Sequence, residues 1–187
     1  PMREEGLLKK LVAAHGVSGF EKAVRKIIEE EAAPYADEMT VDAIGNLIVL
    51  KKGRDGADKK KLMFAADEIG FMVKKIESDG RLKVCNMGWN WAGSAYNERV
   101  EFQNGISGVV GCEGWIEDAK NDVGKLFIDI GATSAEDAAK YVKLGDVCGY
   151  FGPWIDLQND RISSRSLDNR IGCYQLLEAL KENDGNC

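Results

Sequence analysis

The chain has one histidine, and no stretch of about 18 consecutive apolar residues occurs anywhere in its 187 residues. Each absence excludes something. Without a long apolar run there is no candidate membrane-spanning helix, and Pro1-Met2-Arg3-Glu4-Glu5 lacks the apolar core of a secretory signal. A zinc site wants several N, S or O donors converging from different elements, which His15 alone cannot supply. At the end of the first helical pattern it instead suits the negative end of a helix dipole. Basic residues are outnumbered, 25 Lys and Arg against 31 Asp and Glu, for a net charge of -6. Their clusters, Lys51-Lys52 and Lys59-Lys60-Lys61, flank one loop and read as solvated faces, so no nucleic-acid partner is expected. The five cysteines are odd in number, scattered and without C-x-x-C spacing, the pattern of reduced thiols in a cytoplasmic protein.

What is present falls into two architectures. Leu7, Leu8, Leu11 and Val12 recur at helical spacing and Gly16 closes the pattern. Ser18-Gly19-Phe20-Glu21 has the form of a capping box, opening a helix with Phe20, Val24, Ile27 and Ile28 on one face and Pro34 at its end. Glu38 to Lys52 alternates around Gly45-Asn46 and predicts a hairpin with Met39, Val41, Leu47 and Val49 facing inward. After a polar loop from Gly53 to Lys60, Leu62-Met63-Phe64-Ala65-Ala66 is wholly apolar, which suits a strand covered on both faces in a parallel or mixed sheet.

Past Gly70 the chain turns β-rich. Strands are predicted at 71–76, 82–86, 100–103, 106–112, 127–130 and 147–151, with turn signals such as Asn104-Gly105 between them and one helix from Ser134 to Val142. From Asp168 the pattern is helical again, with Ile171, Tyr174, Leu177 and Leu180 on one face and a stop at Glu182-Asn183-Asp184-Gly185. The expected fold is α/β, a mixed-sheet domain over 1–69 and 161–187 interrupted by a small β-barrel or sandwich over 70–160. The α/β part has only about ninety residues once the β insert is removed, fewer than a sheet with helices on both faces usually needs, so half of it is expected to be missing.

Chemistry in α/β sheets gathers at element ends, and two carboxylate spots lie there. One is Asp67-Glu68, after the apolar strand; the other is Asp168, directly ahead of the last helix. Adjacent strand residues face opposite ways, which argues against Asp67 and Glu68 as a glycosidase acid/base pair. Strand-end solvation is the plainer reading of Asp67, and a helix N-cap that of Asp168. Trp89, Trp91 and Tyr96 crowd one loop, as a packed plug, a subunit contact or a substrate lining.

Several segments carry a family resemblance: Val17-Ser18-Gly19-Phe20-Glu21, Asp42-Ala43-Ile44-Gly45-Asn46-Leu47, Ala65-Ala66-Asp67-Glu68-Ile69-Gly70-Phe71, Phe127-Ile128-Asp129-Ile130-Gly131-Ala132 and Leu167-Asp168-Asn169-Arg170. Together they resemble the tetrahedral aminopeptidases, the glutamyl and deblocking enzymes. The resemblance implies a cytoplasmic aminopeptidase with two divalent ions, zinc or cobalt, acting on peptides. It also implies homo-oligomers built through the β domain. Asp168 would bridge the ions, which activate water and polarise the peptide carbonyl while a glutamate serves as base.

Two departures matter. In the family the strand ends in Ala-His-x-Asp-Glu, where Asp67 would orient the metal-binding histidine. Here Ala66 runs straight into Asp67, through deletion of a His-x pair or with Ala65 in the histidine's place. Deletion would draw Asp67 back by roughly 6–7 Å. The chain also stops at Cys187, ahead of the family's paired glutamates and later ligands. As written it is expected to be incomplete and inactive alone; the alternative is a shortened paralogue or fragment serving as an oligomerisation module.

Overall fold

The computed structural model describes residues 5–52, 60–64 and 66–182. Ala65, the lysine-bearing loop after Gly53 and the stop signal Asn183-Asp184-Gly185 lie outside the described residues. The chain divides into two units, Pro1–Asp67 with Pro153–Cys187, and Glu68–Gly152.

In the first unit, α1 (Glu5–Ala13) buries Leu7, Leu8, Leu11 and Val12, as their spacing predicts. Helix α2 (Lys22–Ala32) buries Val24, Ile28 and Ala32, and a single 3-10 turn carrying Pro34 follows it. The predicted hairpin forms from β1 (Glu38–Val41) and β2 (Leu47–Lys51), with Val41 opposite Leu47. Asp42 closes its turn by accepting from the amides of Ile44 and Asn46 at 3.1 and 2.9 Å. Strand β3 (Lys60–Phe64) pairs antiparallel with β2, giving the order β1-β2-β3.

One expectation fails here. Met39 and Val41 are 38% and 47% exposed, because β1 is the sheet edge and the apolar cluster containing Leu47 and Val49 stops at β2.

The second unit holds all six predicted strands: β4 (Gly70–Ile76), β5 (Leu82–Met87), β6 (Arg99–Phe102), β7 (Ser107–Cys112), β8 (Leu126–Asp129) and β9 (Val147–Tyr150). Between them lie α3 (Ala92–Ala95), α4 (Ile116–Ala119) and α5 (Ala135–Ala138). The strands close as β4-β5-β8-β7-β6-β9, a barrel and not a sandwich. Alternate residues fill its interior, including Phe71 and Val73, Leu82 and Val84, and Leu126 and Ile128. Glycine admits close packing at Gly108, where an added Cβ would lie 2.5 Å from the Ile128 side chain. Ser134 caps α5 as predicted, accepting from the Asp137 amide at 3.1 Å.

The chain then re-enters the first unit through the hairpin of β10 (Ile155–Leu157) and β11 (Arg161–Ser163) and ends in α6 (Leu167–Glu182). Its buried face is Arg170, Cys173, Leu177 and Leu180, whereas the expected Ile171 is 42% exposed. Apolar periodicity placed the upper half of this face one residue off, because the side chain that is buried there is a cation. No described helix is long and apolar enough to cross a membrane.

Two acids of strand β9, Cys148 in the barrel core and half-buried Tyr150 packed against it, respond to alkali. Burial pushes the Cys148 thiol from 9.0 to about 12. It also raises the Tyr150 phenol from 10.0 to about 12, helped by the charge of Glu98. The fold favours both neutral forms, so this stability is fully present below the unfolded values and is lost as pH rises from about 9 towards 12. Urea unfolding monitored at pH 8 and 10.5 is expected to show a lower midpoint at the higher pH, and the drop should shrink in Tyr150→Phe.

Candidate metal centre

The strand that ends the apolar run delivers Ala66 half-buried and Asp67 exposed. Ser18 was expected to cap a helix at its own position, but its hydroxyl donates to Asp67 Oδ2 at 2.8 Å. The expected capping box does not form: Glu21 Oε1 accepts from the Gly19 amide at 2.6 Å, not from that of Ser18, and α2 starts only at Lys22. Gly19 sits at φ +85°, a left-handed conformation that glycine takes without a steric penalty. Beside Asp67 is a small cavity of about 100 Å³, lined by Glu21, Arg25, Asn46 and Ala66 among others.

Glu68 belongs to the barrel unit, is only 7% exposed, and would approach a Cβ at Gly149 to 3.3 Å. Asp67, by contrast, is exposed and belongs to the first unit.

Asp168 lies at the start of α6 with φ -89° and ψ 107°, outside helical geometry. The bond from Asp168 to Asn169 is cis. The capping role expected of Asp168 falls to its neighbour: Asn169 Oδ1 accepts from the Gly172 amide at 3.1 Å. That leaves the Asp168 carboxylate exposed, with no hydrogen bond or ion pair to the described residues.

The residue that joins the two carboxylate segments is Arg170, a fully buried side chain. Its Nε donates to the Ala66 carbonyl at 2.6 Å. Its Nη1 donates to the carbonyls of Leu11 and Ala14, the latter at 3.0 Å. One side chain thus links the residue before Asp67, the end of α1 and the helix start carrying Asp168. Arg165 adds a bond from Nη2 to the Ala14 carbonyl at 3.3 Å. These two arginines cap the negative end of α1, and His15 Nδ1 lies 3.5 Å from Arg165. Cys173, on the same face of α6, is raised by burial, opposed by the Arg170 charge and reinforced by that of Asp67.

Sequence reasoning missed Arg170. The available signal was an arginine three and seven residues ahead of Cys173 and Leu177, in step with apolar positions.

A two-ion centre needs imidazole and carboxylate donors converging from several elements. Among the described residues no three His, Cys, Asp or Glu side chains come together as such a set. The single histidine faces Arg165, and Asp67 already has one oxygen engaged. The described donors therefore do not fit a two-ion centre.

In the barrel unit, Trp89 and Trp91 are 79% and 64% exposed, so they are not a packed plug. Their loop is anchored by buried Asn90, which donates to the Gly70 carbonyl and accepts from the Tyr150 hydroxyl, both at 2.8 Å.

The sequence profile of the M42 glutamyl aminopeptidases matches residues 45–186, and the chain belongs to that family. A protein of Acetivibrio thermocellus is 44% identical over 179 residues, which cover 94% of this chain and 53% of that protein. The lysyl aminopeptidase of Pyrococcus furiosus is 31% identical over 191 residues, covering 94% of this chain and 54% of the relative. Among solved structures, the Pyrococcus horikoshii TET1 peptidase, which can assemble into a tetrahedron or a large octahedral shell, superposes with a TM-score of 0.78. It is 31% identical, over 95% of this chain and 56% of that one. The chain thus spans about half the length of the relatives it matches.

Gly16 gives the corner its sharpest packing test. A Cβ there would lie 2.6 Å from Arg170 Nη2 and 2.9 Å from Val24 Cγ1. Gly16→Ala is expected to cost about 2 kcal/mol in urea unfolding, the range of an overpacked core position.

Proposed function

We propose that this chain contributes the strand end and helix start of an M42-type aminopeptidase that removes N-terminal residues from peptides in the cytoplasm. Asp168 is the carboxylate that meets a divalent ion, zinc or cobalt, and Asp67 is an orienting carboxylate. The observation that carries this reading is the exposed, unengaged carboxylate of Asp168 at the head of a helix with a buried face, inside a segment that matches the family throughout. An acid with no internal partner keeps its lone pairs for a ligand, whereas Asp67 is already held by Ser18. The cytoplasmic setting rests on the free cysteines.

Because the described donors fall short of a two-ion set, residues 1–187 are expected to release no product from aminoacyl p-nitroanilides with zinc or cobalt added. Metal-dependent turnover by this polypeptide would contradict that. In calorimetric titration with cobalt(II), the chain is expected to bind no more than one ion weakly, and Asp168→Asn to weaken that binding at least tenfold. Equal binding by the variant would remove Asp168 from the proposed role.

A second reading has its own support, and it concerns assembly. The barrel unit exposes Trp89, Trp91 and Trp115, the last at 80%, and large aromatics left in water are common at protein interfaces. With the assembly described for the Pyrococcus horikoshii relative, this favours a homo-oligomer formed through the barrel. Sedimentation is expected to find a dimer or larger species that Trp89→Ser with Trp91→Ser shifts towards monomer. A wild-type monomer at micromolar concentration would count against it.

A further inference from the structure

A charge with no exposure is costly unless its donors are met, so the contacts of Arg170 show what the fold keeps it for. Its guanidinium takes the Leu11 and Ala14 carbonyls on one side and the Ala66 carbonyl on the other. Each of those segments continues into a second contact. The chain beyond Ala14 passes Gly16, whose backbone lies so close to the guanidinium that a side chain would collide with it, and reaches Ser18. The chain beyond Ala66 reaches Asp67 at the next residue. Ser18 and Asp67 then bond to each other at 2.8 Å. The contacts form a closed ring: end of α1 to Arg170, Arg170 to Ala66, Ala66 to Asp67, Asp67 to Ser18, and back.

We propose that Arg170 is a positioning residue whose fork holds the Ala66 carbonyl against the end of α1, delivering the Asp67 carboxylate to Ser18 and fixing it relative to Asp168. Only the importance of Asp168 rests on the metal reading above; the ring of contacts stands without it. A planar fork is suited to the task, since it reaches carbonyls in two directions at fixed angles, and a lysine of equal charge does not. In such a ring the contacts support one another, because opening one frees the segments that the others need. A merely structural arginine would add stability without altering how strongly Ser18 and Asp67 interact.

The test is a cycle of Ser18→Ala and Asp67→Ala, singly and together, in wild type and in an Arg170→Lys background, read by urea unfolding. In wild type the pair is expected to be coupled by about fivefold in the unfolding constant, the scale of one hydrogen bond. In Arg170→Lys that coupling is expected to vanish. Equal coupling in both backgrounds, or none in wild type, overturns the proposal.

Should Arg170→Lys fail to fold, reciprocity supplies the second measurement: Ser18→Ala should speed exchange of the Arg170 Nε–H by about fivefold in NMR spectra. Unchanged exchange overturns the proposal as surely. Failure of the metal reading shows separately, as cobalt(II) binding that Asp168→Asn leaves untouched, and it does not alter the coupling between Ser18 and Asp67.

Discussion

The first unit depends on one buried guanidinium. Backbone carbonyls at a helix end and at a strand exit each need a donor, and Arg170 meets three of them at once, those of Leu11, Ala14 and Ala66. Charge makes the arrangement favourable as well as geometric, because the last carbonyls of α1 carry the negative end of its dipole. The constraint reaches back into the sequence. Gly16 has to be small, and the upper buried face of α6 has to shift by one residue to put a cation where an isoleucine would otherwise pack.

The second unit is held by different physics. A closed six-stranded barrel has no free edge, and its interior is filled by alternate apolar side chains with glycine where strands crowd. Buried Cys148 and half-buried Tyr150 favour their neutral forms there. The unit is thus self-sufficient in its core while presenting several indoles to water. Those exposed indoles lie in one unit, and the two candidate carboxylates, Asp67 and Asp168, lie in the other.

Much of the fold was legible because it follows local periodicity. All six barrel strands, the hairpin around Gly45-Asn46, the Ser134 cap and the first helix fall where alternation, turn residues and caps place them. What could not be read is long-range. Ser18 has the local signature of a cap, yet a carboxylate 49 residues away takes its hydroxyl. Asp168 stands where a cap is expected, but Asn169 is better placed to reach the Gly172 amide. Met39 and Val41 alternate correctly and still face water, because alternation says which residues share a face and not whether anything covers it. Of the candidate site, Asp67 and Asp168 could be singled out from the sequence by their places at element ends, whereas the arginine that joins their segments could not.

Whether those segments form one corner can be measured directly. Manganese(II) added in small amounts to nitrogen-15-labelled protein broadens the amides nearest to wherever the ion settles. If Arg170 holds the two carboxylate segments together, the amides of Asn169 and Asp67 should broaden in step at the lowest additions. Broadening at Asn169 with Asp67 untouched, or spread evenly over the acidic surface, would contradict a single organised corner.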